Sequence, residues 1–187
     1  IGYYDNYIKS GRYSADGLMF NFDRPTRRLC GSRWGIIGLG AIGRNVARVA
    51  EAMGCEVAYA STSGVQREEP WPCVSLDELL ETSDVVSIHC PLNAATRNLI
   101  DKAKLDIMKS DALLINVARG GIVDEKALAE AIDAGKIGGA ALDVFVHEPI
   151  EADSPLLKVK NSDRLLLSPH NAWSAAESIT TLVGCIE

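Results

Sequence analysis

The stretch Trp34-Gly35-Ile36-Ile37-Gly38-Leu39-Gly40-Ala41-Ile42-Gly43 decides the fold. An apolar run leads into three glycines at G-x-G-x-x-G spacing, and an amphipathic stretch from Asn45 to Met53 follows. The spacing alone is a weak signal, because loops collect glycine. A strand before it and a helix after it give it meaning as a dinucleotide site. In that setting Gly38 permits the tight turn, Gly40 lets backbone approach a pyrophosphate, and Gly43 lets helix pack on strand. Free amides at the helix start then face the phosphate charge.

Working outward, short and nearly continuous apolar runs recur at Trp34–Ile37, Val57–Ala60, Val85–Ile88, Leu113–Val117, Ala140–Val144 and Leu165–Leu167. Strands buried on both faces of a parallel sheet read this way. Between them lie helical patterns with recognisable ends. Ser75 and Glu78 form a capping box before Leu79-Leu80. Asp101 caps a short helix through Met108, and Asp124 caps Glu125–Ala134, which Gly135 ends. The alternation predicts an α/β domain with a doubly wound parallel (Rossmann) sheet. Residues 1–32, rich in aromatics, read as a helix tail and an extended arm. A last helix from Ser174 is still in helical pattern at Glu187, so 1–187 reads as one dinucleotide-binding domain taken from a longer chain.

Composition narrows the function classes. A formal net charge of −6 and a pI near 5.1 argue against a nucleic-acid surface. The one basic cluster, Arg24 to Arg28 with Arg33, is broken by Pro25 and Thr26 and reads as a solvated connector. No apolar stretch has the length of a membrane span, and the first residues carry no signal-peptide pattern. Five cysteines without a C-x-x-C, and three scattered histidines, argue against structural disulfides and a metal site. A reducing cytoplasm fits that usage.

Three further strings end the fourth, fifth and sixth strands: Asn116-Val117-Ala118-Arg119-Gly120-Gly121, Asp143-Val144-Phe145-Val146-His147-Glu148-Pro149, and Ser168-Pro169-His170-Asn171-Ala172-Trp173. Ligands of open α/β sheets sit outside the carboxyl ends of the strands, so these strings share one crevice with the glycine loop. An Arg, a Glu and a His converging there could form a carboxylate clamp and an acid–base pair. Taken singly, each has a plainer reading: a surface arginine, a solvated glutamate and a Ser-Pro-His turn.

The strings in series, with His89-Cys90-Pro91-Leu92 and Thr96, resemble the D-isomer-specific 2-hydroxyacid dehydrogenases over roughly residues 3–187. The resemblance implies that Arg119 binds a substrate carboxylate, with a fork geometry that Lys lacks. It implies that His170 exchanges a proton with the substrate carbonyl oxygen, while Glu148 holds its tautomer and orientation. Asp143 would accept from the nicotinamide carboxamide. Backbone at Ala41, Ile42, Pro91, Val117 and Ala118, with Thr96, Arg119, His170 and Ala172, would line the rest of an NAD cofactor. A second domain would supply the opposite cleft wall, without which this piece binds dinucleotide but does not turn over. The partners implied are a small 2-oxo or 2-hydroxy acid and, for the whole protein, a second copy in a homodimer. His89 reads as structural and His147 as solvated.

Two positions depart from the pattern. A strand selecting NAD usually ends in Asp or Glu, which accepts the ribose hydroxyls. Here Ala60 stands there, followed by Ser61-Thr62-Ser63, Glu56 lies at the wrong end, and Arg67 is the nearest downstream arginine. NAD remains the first choice with NADP possible, and weak discrimination is expected. Asn171 stands where the family often has an aliphatic residue. The His-x-Ala-Trp string at 170–173 is closer to the glycerate dehydrogenase (hydroxypyruvate reductase) branch, which points to hydroxypyruvate or glyoxylate. A dinucleotide-sensing corepressor on the same fold is the alternative, since fold alone does not specify function. A formate dehydrogenase is disfavoured, because moving hydride from formate needs no acid–base pair.

Overall fold

A computed structural model describes residues 2–24, 26–64 and 68–185. Strands β1 (Arg33–Ile37), β2 (Glu56–Ala60), β3 (Val85–Ile88), β4 (Leu113–Asn116), β5 (Gly139–Leu142) and β6 (Leu165–Leu167) form one sheet, ordered β2-β1-β3-β4-β5-β6. Every pairing is parallel. The chain steps outward from β1 to β2 and then returns across β1 to β3, which makes the β1/β3 junction the switch point. All six expected strands are present, with ends displaced by no more than two residues.

Helices α1 (Gly2–Lys9), α2 (Arg12–Asp16), α3 (Ala41–Ala52), α4 (Leu76–Thr82), α5 (Lys102–Asp106), α6 (Glu125–Asp133) and α7 (Ala176–Gly184), with short 3₁₀ helices at Pro155–Lys158 and Ser162–Arg164, complete the described elements. Helix α3 starts at Ala41 rather than Asn45, because the fingerprint residues themselves form its first turn. Three caps work as the sequence suggests: Ser75 accepts from Glu78 N at 3.1 Å, Asp101 from Lys104 N at 2.9 Å, and Asp124 from Ala127 N at 3.0 Å. The Glu78 carboxylate lies 3.8 Å from Arg33, on which it leans instead of returning to the cap. Helix α5 stops at Asp106, two residues short of Met108, whose amide bonds back to Leu105 in a tightened turn.

Two apolar clusters hold the sheet. Consecutive residues of a strand point to opposite faces, so Ile36 packs with Ala47 and Ala50 of α3 while Ile37 packs with Leu79 and Leu80 of α4. Each such fully buried side chain contributes about 1.5–3 kcal/mol. Helices on both faces explain why the strands read as continuous apolar runs.

The N-terminal residues begin with a helix, α1, as expected, and the described residues from 17 to 32 hold no helix or strand. The departure is a second short helix, α2, bounded by left-handed Gly11 (φ 78°) and Gly17 (φ 64°). Tyr7 is buried and its hydroxyl bonds Asp16 at 2.5 Å. Arg24, Arg27 and Arg28 are exposed, and two of them are tied down: Arg24 pairs with Asp163, and Arg27 with Asp111 at 2.6 Å. Pro25, Arg67 and Glu187, on which sequence expectations fell, lie outside the described residues, and α7 begins at Ala176 rather than Ser174.

Candidate active site

The last rung of the sheet runs Ala60–Ile37–Ile88–Asn116–Leu142–Leu167 across all six strands. Every residue singled out for chemistry on a strand end follows that rung within a few positions. Ser61 follows β2, Gly38 follows β1, Pro91 follows β3, Arg119 follows β4, Asp143 and Glu148 follow β5, and His170 follows β6. From β1 to β5 is three strand spacings, roughly 14 Å.

At the switch point a cavity of about 190 Å³ is lined by Gly38 and Gly40 on one side, Ser61, Thr62 and Ser63 on another, and His89 to Pro91 on a third, with Glu69 at its wall. Gly38 adopts φ 90°, and a side chain there would meet the backbone nitrogen of Cys90 at 2.8 Å. A side chain on Gly43 would meet the Gly38 carbonyl at 2.4 Å, whereas one on Gly40 would meet nothing. The first two glycines permit close packing, and the third leaves open space beside the uncapped start of α3. A phosphate-bearing group fits that cradle. Ala41 and Ile42 are exposed in the first turn, Ile42 at 66%. Burial pushes the His89 ring below its ordinary range, and its Nε2 lies 3.0 Å from Ser87 Oγ.

Thr96 is 1% exposed and its hydroxyl is engaged within its own turn, donating to Pro91 O at 2.6 Å and accepting from Asn93 N at 2.8 Å. It therefore shapes the loop behind Pro91 instead of presenting a free hydroxyl to the crevice. Asn116 does the same after β4, accepting from Ala118 N and donating to Arg119 O, each at 3.0 Å. Val117 and Arg119 are thereby left exposed at the strand end. Arg119 bonds the carbonyl of Ala118 at 2.6 Å through Nη1 and has no ion pair among the described residues. The rest of its fork remains available for a carboxylate.

The β5 and β6 loops meet. His170 Nδ1 lies 2.6 Å from Glu148 Oε2, and the other Glu148 oxygen accepts from Phe145 N at 2.9 Å. The His170 contact and the Phe145 amide hold the Glu148 carboxyl below its usual range. Asp143, 3% exposed, accepts from Ser168 Oγ at 2.5 Å, Asn171 N at 3.0 Å and Ala172 N at 2.8 Å. Burial alone would raise its carboxyl, but these bonds outweigh that and lower it. They also knot the turn in which His170 sits at φ 51°, a left-handed conformation rare outside glycine. Trp173 closes the turn by donating from Nε1 to the His170 carbonyl at 2.9 Å. His147 is exposed in the same β5 loop.

Sequence reasoning did not anticipate three of these residues. Ser168 anchors the His170 turn through Asp143. Gly120 is required because a side chain there would fall 1.7 Å from the Phe145 carbonyl, so the Arg119 and Glu148 loops touch at backbone level. Glu69, in an irregular segment, reaches the cavity wall only through the fold.

A parallel doubly wound sheet, a glycine cradle at its switch point and an Arg/Glu/His row along the same edge define a dinucleotide-binding domain of a dehydrogenase type. The family model of the D-isomer specific 2-hydroxyacid dehydrogenase NAD-binding domain matches residues 1–172. The chain belongs to that family. It is 45% identical over 166 residues to a putative 2-hydroxyacid dehydrogenase of Haemophilus influenzae, covering 87% of this chain and 52% of that protein. It is 38% identical over 179 residues to a glycerate dehydrogenase of Methylorubrum extorquens, covering 96% and 55%. The NAD⁺-bound D-lactate dehydrogenase of Lactobacillus jensenii superposes with a TM-score of 0.80 at 29% identity, over 96% of this chain and 58% of that one. The chain spans about half the length of the curated relatives it matches.

Proposed function

We propose that the protein reduces a small 2-oxo acid to the D-2-hydroxy acid, with NAD as cofactor, and catalyses the reverse oxidation. The observation that carries this reading is the 2.6 Å His170–Glu148 pair on the same sheet edge as Arg119, which has no ion pair among the described residues. Arg119 grips the substrate carboxylate and so places the adjacent carbonyl. Because Glu148 occupies Nδ1 of His170, Nε2 is the nitrogen left to face substrate. In reduction His170 delivers a proton from Nε2 to the carbonyl oxygen, and in oxidation it takes the hydroxyl proton back. The bound dinucleotide supplies or receives the hydride at the adjacent carbon. Asp143 holds the His170 turn in place, and Gly38, Gly40, Ala41, Ile42, Pro91, Val117, Ala118 and Ala172 offer backbone along the cofactor.

Hydroxypyruvate and glyoxylate are the preferred substrates, since exposed Trp173 follows His170 closely and narrows the room near the reacting carbon. A second domain opposes Arg119 and excludes water, as positioning and electrostatic stabilisation require. The five free cysteines fit the cytoplasm, and the exposed apolar stretch at Leu18–Phe22 fits a homodimer contact.

The test is a steady-state assay of the purified full-length protein, second domain included, with NADH and a panel of 2-oxo acids. Turnover of hydroxypyruvate or glyoxylate is expected, with kcat/KM falling about a thousandfold in His170→Ala and KM rising in Arg119→Ala. Dinucleotide binding without turnover of any panel member would favour the corepressor reading instead.

A further inference from the structure

We propose that Glu69, clamped by Arg44, is the cofactor-selecting residue of this protein and discriminates against a 2′-phosphorylated dinucleotide. The inference rests on the dinucleotide reading above and names the group that performs the selection. Strand β2 ends at Ala60, which brings no charge to the pocket where an acidic residue normally meets the adenosine ribose. The cavity at that strand end is nevertheless not without a carboxylate. Glu69 lines it together with Ser61, Thr62 and Ser63, and among the described lining residues Glu69 alone is acidic. Its side chain is only 10% exposed.

What holds Glu69 there is Arg44, in the first turns of α3. Arg44 Nε lies 2.9 Å and 3.2 Å from the two carboxylate oxygens, and Nη2 contacts one of them as well. The contact is a bidentate fork, which fixes orientation as well as position. Glu69 raises the Arg44 guanidinium above its ordinary range. The pair has two consequences for a ligand in the cavity. A 2′-phosphate would enter on the carboxylate side of this pair, since Glu69 lines the cavity and Arg44 is not among its described lining residues, and the nearer negative end repels it. Arg44, the guanidinium that touches Glu69, is already committed to that carboxylate. Specificity built in this way is repulsive, with the attractive partner withheld from the wrong ligand. A ribose carrying free hydroxyls brings no charge to the Glu69 wall and meets no such repulsion.

The purified protein is titrated with NADH and with NADPH, following nicotinamide fluorescence, so the readout is binding and not turnover. Wild type is expected to bind NADH at least tenfold more tightly. Glu69→Gln removes the repulsion and frees Arg44, so the two affinities should come within about threefold, chiefly through tighter NADPH binding. The double variant Glu69→Gln/Arg44→Gln leaves no unpaired guanidinium in the part-buried wall, and so remains foldable if the single variant is not. It should also narrow the ratio, but less, because no cation is released. A wild type that binds NADPH as well as NADH, or variants that both keep the wild-type ratio, would overturn the assignment while leaving the dehydrogenase reading intact. Binding of neither dinucleotide by wild type would overturn that reading and this inference together.

Discussion

Glu148 shows how much one carboxylate can organise. One oxygen meets His170 Nδ1 and the other accepts the Phe145 amide, so the side chain orients the histidine and closes its own loop. Its carboxyl is depressed first by the His170 contact and then by the Phe145 amide. A depressed folded value means that the stabilisation is present above the ordinary glutamate range, near pH 4.3, and is lost as pH falls through the folded value. The pair is about one-third exposed, which limits its contribution to about 1 kcal/mol. Denaturant unfolding of wild type and Glu148→Gln across a pH series should therefore show a stability gap above pH 5 that closes in acid. A gap independent of pH would mean that the pair adds nothing electrostatic. Arg119, Glu148 and His170 were legible as residues, because rare polar types at the ends of apolar runs stand out. Asp143 was legible as a site residue, but its three donors were not, since Ser168, Asn171 and Ala172 are 25 to 29 positions away.

At the scale of elements, the loops after β4 and β5 are packed as one unit. The side-chain-free Gly120 lets the Arg119 loop lie directly on the Phe145 carbonyl, while Glu125 at the start of α6 accepts from Val146 N at 2.7 Å. Gly120→Ala is expected to cost about 3 kcal/mol, the upper end for overpacking, since backbone must move on both sides. Because that movement separates Arg119 from the Glu148–His170 pair, kcat/KM should fall as well. A thermal melt and a steady-state assay on the variant check both, and an unchanged melting temperature would refute the close contact. Secondary structure is legible in the sequence at this scale because apolar runs and capping residues are local signals. Helix α3 started four residues earlier than periodicity suggested, for a physical reason: glycines hide a helical turn from any apolar pattern.

For the molecule as a whole, the segment after the N-terminal helices concentrates exposed apolar side chains. Phe20 and Phe22 are 65% and 80% exposed, and Leu18 and Met19 are also out in solvent. Four large apolar side chains in five positions mark an interaction surface more often than a solvated one. Ion pairs of Arg24 and Arg27 with the sheet body keep this segment in place against the domain. Sedimentation should find wild type as a dimer. Phe20→Ser/Phe22→Ser should shift it to monomer without changing its far-ultraviolet dichroism, and a wild-type monomer at micromolar concentration would reject the contact.

What the sequence determined by itself was everything carried by short-range pattern: the six strands, the caps, the glycine cradle and the placement of Arg119, Glu148 and His170 after strand ends. Parallel strands of nearly continuous apolar character can only be covered on both faces, and crossovers then bring every strand end to one edge. The tertiary structure alone decided which strand is central, which backbone contacts make Gly120 necessary, and which donors hold Asp143. It alone placed Glu69 and Arg44 together, 25 positions apart, at the wall of the switch-point cavity. The reason is the range of the forces involved. Hydrogen-bonded turns and periodic burial are written in neighbouring residues, whereas a carboxylate in an irregular segment acquires its role only from what packing sets beside it.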